Sequence, residues 1–142
     1  MTYADRAAPP GLHPLHAILL AFPVALFASA LASDIAYLRT AVIQWTNFSS
    51  WLITGALLLG APVVAWAAIG AVFPRGRARG PALAYLVLVA VMWIAGLVNA
   101  FQHSRDGWSS VGTFGLILSI ISTIAALAAA WIAHATVRED VR

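Results

Sequence analysis

Apolar residues gather along the chain in four long runs, and the polar residues fall between them and at the two ends. Each run is close to the roughly 20 residues needed to cross about 30 Å of hydrocarbon at 1.5 Å per residue. They predict spans over about 15–38, 47–73, 81–102 and 111–136. The expected fold is all-α: a polytopic membrane protein, one four-transmembrane-helix bundle using residues 1–142 as a single domain.

The boundaries have local causes. Met1 to Leu12 is polar, contains Pro9-Pro10-Gly11 and reads as an irregular lead. His13-Pro14-Leu15-His16 opens span one, and Pro14 is tolerated in the first turn because its missing N–H would be unpaired there. Gln44-Trp45-Thr46 precedes span two. Pro74 and the Arg75-Gly76-Arg77-Ala78-Arg79-Gly80 turn end it, and the shortness of that turn makes spans two and three antiparallel neighbours. Span three leads into Gln102-His103-Ser104-Arg105-Asp106-Gly107-Trp108, and span four into the tail Arg138-Glu139-Asp140-Val141-Arg142. Ala28-Ser29-Ala30 looks like a signal-peptide cleavage site, but the apolar run continues to Leu31 and Ile35, past the 7–15 residues of a signal core.

Composition agrees with burial in lipid: 62% of the 142 residues are hydrophobic and 9% charged, against about a quarter charged in a soluble domain. The net charge of +3 does not indicate a nucleic-acid partner, because the eight basic residues are all arginines and form no long patch. They report topology instead. Arg6, Arg75, Arg77, Arg79, Arg138 and Arg142 lie on the side holding both termini, and only Arg39 and Arg105 on the other. The positive-inside rule therefore places the termini in the cytoplasm. Trp45, Trp51 and Trp108 fall at the outer interface and Trp131 near the inner one. With no cysteine, disulfides and thiolate metal sites within the chain are excluded.

Helix association in lipid rests on close packing and polar contacts. Gly115, Ser119, Ser122 and Ala126 recur along one face of span four, and Ala56 and Gly60 form a small pair in span two. Pro23 and Pro62 are expected to kink their spans.

Polar groups at membrane depth are costly, so they are the candidates for function. One group is His13, His16 and His134, at the inner ends of spans one and four. Two histidines on different helices at matching depth are what a haem b iron needs, and His16 or His13 with His134 meets the depth condition. The plain alternative is interfacial histidines, with His13 or His16 capping a helix. A zinc or copper site has thin support without a carboxylate or thiolate companion. The other group is Asp34, Asn99, Gln102, His103, Arg105 and Asp106 at the outer ends. It reads as structural: Asp34 is expected to pair with Arg39 or Arg105, while Asn99 and His103 lie one turn apart. A proton or quinone contact is its functional alternative. No nucleophile with its base, phosphate loop or paired carboxylates are visible, so no catalytic activity is expected.

His13-Pro14-Leu15-His16, Phe22-Pro23-Val24-Ala25-Leu26-Phe27 and Asp34-Ile35-Ala36-Tyr37 together resemble the opening of the bacterial DUF2231 family of small membrane proteins. The likeness continues through Phe48-Ser49-Ser50-Trp51, Gly55, Gly60, Asn99 and His103 to Trp108, and Gly115 to Ser119, covering most of the chain. The resemblance implies the fold more than an activity. Relatives fused to, or encoded beside, Rieske-type or other periplasmic redox proteins imply an inner-membrane subunit of a redox system with such a protein as partner. Many relatives also carry a histidine early in span three. This chain has none from Ala82 to Leu88, so haem ligation would fall to His134. The expectation is a membrane subunit of a respiratory or redox system carrying haem b. The alternatives are a non-catalytic anchor or scaffold and, less well supported, a small-solute or ion transporter.

Overall fold

The computed structural model describes residues 13–73, 79–105 and 111–139, without the side chains of 79 and 136–139. Its four helices are α1 (Pro14–Thr40), α2 (Ile43–Val72), α3 (Arg79–His103) and α4 (Gly112–Glu139). Each is long and apolar enough to cross a membrane.

α1 starts where the sequence places it, with Pro14 in the first turn and His13 as its cap, its Nδ1 accepting the Leu15 N–H at 3.3 Å. It runs unbroken through Pro23 and through Ala28-Ser29-Ala30. The connection to α2 is tighter than expected. Ala41 takes a left-handed cap conformation at φ 54° and sends its N–H to the Tyr37 carbonyl at 2.8 Å. The Thr40 hydroxyl, 2.7 Å from the Ala36 carbonyl, also receives the Val42 N–H at 3.4 Å. With the chain reversed in so few residues, Gln44, Trp45 and Thr46 belong to the first turns of α2 rather than to a polar lead. α2 continues through Pro62 and ends at Val72, where the Phe73 N–H bonds to Ile69.

α1 packs on α2, α2 on α3, α3 on α4, and α4 back on α1. The four helices therefore form a closed square. Successive helices alternate in direction, which leaves α1 and α3 parallel across the diagonal.

The centre is filled by Leu20, Phe27, Ile53, Val63, Val89 and Met92, with alanines of α4 behind them. Gly115, Ser119, Ser122 and Ala126 are all buried, as are Ala56 and Gly60. Small residues bring the helix axes close, which supplies the packing that lipid itself does not drive. At Gly96 the approach is closest, because a Cβ there would come within 2.5 and 2.8 Å of the Phe27 ring.

Polar cross-ties supplement this packing. The Trp93 indole N–H donates to the Leu57 carbonyl at 3.1 Å, joining α3 to α2. Ser49 Oγ donates to the Ala30 carbonyl at 3.3 Å, joining α2 to α1. Thr123 Oγ1 stands 3.1 Å from the Phe27 carbonyl and 2.7 Å from that of Ser119, so its single proton is shared between α1 and its own helix. The outside is apolar, with Trp51, Leu58, Ile69 and Trp131 among the exposed large side chains.

Candidate functional site

Two polar rungs cross the α1–α3 diagonal. On α1, eighteen residues separate His16 from Asp34, and the same interval separates their partners Tyr85 and His103 on α3. At 1.5 Å per residue the rungs stand about 27 Å apart, close to the hydrocarbon thickness of a bilayer.

The first rung is centred on Asp34. Its side chain and that of His103 are both fully buried, with His103 Nε2 at 2.9 Å from Asp34 Oδ1. Ser119 of α4 donates its hydroxyl to Asp34 Oδ2 at 2.5 Å and receives the Asn99 amide at 2.7 Å. The other ring nitrogen, His103 Nδ1, lies 3.0 Å from the Asn99 carbonyl one turn back on α3. A carbonyl only accepts, so Nδ1 carries a proton. The Nε2–Oδ1 contact then requires one further proton, held either by the imidazole or by the carboxyl. In both forms the pair has no net charge, which is what allows it to sit at full burial. Three helices converge on this carboxyl group.

The expected partner of Asp34 was an arginine, and the structure corrects this. Arg39 is exposed on the last turn of α1. Arg105 is also exposed and donates to the Gln102 side chain at 3.3 Å. Guanidinium groups at span ends reach toward water along their flexible stems. His103, two residues before Arg105 and still within α3, is buried and within reach of a carboxylate in the core. Asp106 lies outside the described residues, as does Trp108.

The second rung holds His16. The ring is only 3% exposed, and its Nε2 meets the Tyr85 hydroxyl at 2.7 Å. Trp66 of α2 packs against it at a centroid separation of 5.1 Å and against His13 at 5.3 Å. His16 Nδ1 is buried without a hydrogen-bond partner, and so is Asn99 Oδ1 of the first rung.

The three candidate haem ligands therefore stand in different surroundings. His13 is exposed and caps α1, the plain role open to it from the sequence. His16 lies in the core with Nε2 engaged by Tyr85, and His134 is exposed on α4. A cavity adjoins His13, His16 and Tyr85, and His134 is not among its lining residues. A haem held by His16 Nε2 would first have to displace Tyr85. Among the described residues no cluster of three or more histidine or acidic side chains is placed to hold a metal ion.

A model of the family described as "Predicted membrane protein (DUF2231)" matches residues 12–140. The chain belongs to the DUF2231 family. No curated protein and no solved structure matches it. As a DUF2231 member it is a membrane protein with four apolar spans.

Within this DUF2231 chain, Tyr85, Trp66 and Ser119 are the polar or aromatic partners that the sequence did not single out as site residues. Tyr85 stands in the early α3 stretch from Ala82 to Leu88, which holds no histidine. Its signal was its place: a polar-tipped ring near the start of α3, at the same distance from His103 as His16 is from Asp34.

Proposed function

We propose that this DUF2231 chain is a non-catalytic anchor subunit in the bacterial inner membrane, serving a redox assembly with both termini in the cytoplasm. The observation that carries the reading is the use made of its buried ionisable groups. Asp34 and His103 are spent on each other and, through Ser119 and Asn99, on holding α1, α3 and α4 together. Such a network fixes helix register and leaves its charge neutralised inside the bundle, which suits a platform rather than a charge carrier. The arginine distribution supports the orientation, and the association with redox proteins rests on the family resemblance.

The test is a dithionite-reduced minus oxidised spectrum of the purified, haem-supplied protein, with a pyridine haemochrome assay, beside its migration from native membranes in mild detergent. The anchor reading expects a flat spectrum and an assembly with other proteins. A b-type spectrum at near-stoichiometric haem would replace it with an electron-carrying role using His16 and His134. Migration solely as this chain's own oligomer would remove the assembly from the reading.

A further inference from the structure

Beside the His16 rung lies a cavity of about 180 Å³, whose lining includes His13 and His16 of α1, Trp66 and Gly70 of α2, and Ala82 and Tyr85 of α3. Its size sets the class of occupant. An apolar protein cavity of about 150 Å³ accepts a benzene molecule, so this space suits one six-membered ring and is small for a macrocycle. Gly70 leaves room on this side, since a Cβ built there meets nothing within 4 Å.

Its polar edge sets the chemistry. His16 and Tyr85 both line the cavity, and the Tyr85 hydroxyl lies 2.7 Å from His16 Nε2. A neutral His16 and Tyr85 carry one N–H and one O–H between them, and their mutual contact uses one of these protons. If Nε2 donates, the tyrosine proton is free for a carbonyl oxygen. If tyrosine donates, its oxygen is left to accept from a hydroxyl. The Tyr85 hydroxyl, set by its His16 partner, thus recognises a ring carbonyl in one tautomer of His16 and a ring hydroxyl in the other. The Trp66 indole adds an aromatic surface beside them. Ile69 and Leu83, adjacent in sequence to Gly70 and Ala82, are exposed apolar residues, so a ligand dissolved among acyl chains meets an apolar approach.

We propose that this cavity binds the ring of a membrane quinone or quinol, with its apolar tail remaining in lipid. Binding alone is assigned, with no electron transfer through the chain. The site goes beyond the anchor role and is tested on the isolated protein, so its failure would leave the anchor reading standing.

The experiment uses the full chain in phosphatidylcholine nanodiscs, titrated with decyl-benzoquinone and followed by tryptophan fluorescence. Saturable quenching is expected, with its amplitude reduced in Trp66→Phe. Gly70→Leu fills the cavity without altering its polar edge, and Tyr85→Phe removes the hydroxyl at that edge. Each should weaken binding about tenfold or more, which for Tyr85→Phe is the equivalent of losing one hydrogen bond left unreplaced. Quenching that rises linearly with quinone and is the same in Gly70→Leu would overturn the proposal, as would saturable binding displaced equally well by a short-chain phosphatidylcholine. A photoreactive azidobenzoquinone on the unmodified protein provides the check that needs no variant: cross-links on the cavity-lining residues support the site, and cross-links spread along the outer faces of the bundle overturn it.

Discussion

The ring of Phe27 occupies the space that a side chain on Gly96 would need, so α1 and α3 meet at this point with no room for a methyl group. Phe27 is 1% exposed and cannot swing away without disturbing its neighbours. Gly96→Ala should therefore destabilise the bundle by about 1–3 kcal/mol, the usual result of overpacking a closed core. Thermal unfolding in detergent, followed by circular dichroism, measures it. Adding Phe27→Leu should recover part of the loss, because neighbours in direct contact are not additive. An unaltered melting temperature in Gly96→Ala would mean that the two helices are not in this register.

The same packing separates the two rungs. Leu20, Pro23, Phe27, Val89 and Met92 are buried on α1 and α3 between His16 and Asp34, and they offer apolar side chains to any ion passing along that diagonal. Liposomes containing the protein alone should thus show proton leakage equal to that of protein-free liposomes, measured with a trapped pH-sensitive dye. Flux that depends on Asp34 would require a path through this layer and would count against a closed core.

How much of this was legible in the sequence depends on the kind of regularity involved. The four helices follow from apolar runs, and the buried face of α4 from the recurrence of Gly115, Ser119, Ser122 and Ala126, because both are local periodicities. Asp34 stood out for its charge at membrane depth, and that charge suggested an arginine as its partner. The actual partner, His103, is 69 residues away, and choosing it over Arg105 depends on how far each side chain sits inside the bundle. Tyr85 and Trp66 were overlooked because aromatic residues in a span read as apolar filling. His134 looked equivalent to His16 because depth can be read from sequence, whereas helix rotation, which leaves one exposed and the other buried, cannot.

Orientation can be checked without removing any native thiol, because the chain contains no cysteine. Ser104 is exposed just beyond α3, at the end of the bundle that holds the Asp34 rung. Ser104→Cys should react with a membrane-impermeant maleimide in intact spheroplasts, whereas Thr2→Cys should react only after the membrane is opened. The reverse pattern would place the arginine-rich side outside and defeat the topology drawn from charge.

The proton count at Asp34 makes the most discriminating prediction. Asp34→Ala leaves His103 and Ser119 facing an empty position in the core, and loss of one partner from a buried pair costs about 3–5 kcal/mol. Asp34→Asn should cost much less, about 1 kcal/mol. The amide oxygen can receive the Ser119 hydroxyl, and the amide N–H can donate to His103 Nε2 while Nδ1 keeps its bond to the Asn99 carbonyl. The exchange conserves net charge, since asparagine beside a neutral His103 carries none, as the native pair carries none with its one shared proton. Unfolding of the three proteins side by side in one detergent gives the comparison. If Asp34→Asn is as damaging as Asp34→Ala, the carboxylate charge itself holds α1 to α3, and the shared proton sits on His103 as an imidazolium rather than on the carboxyl.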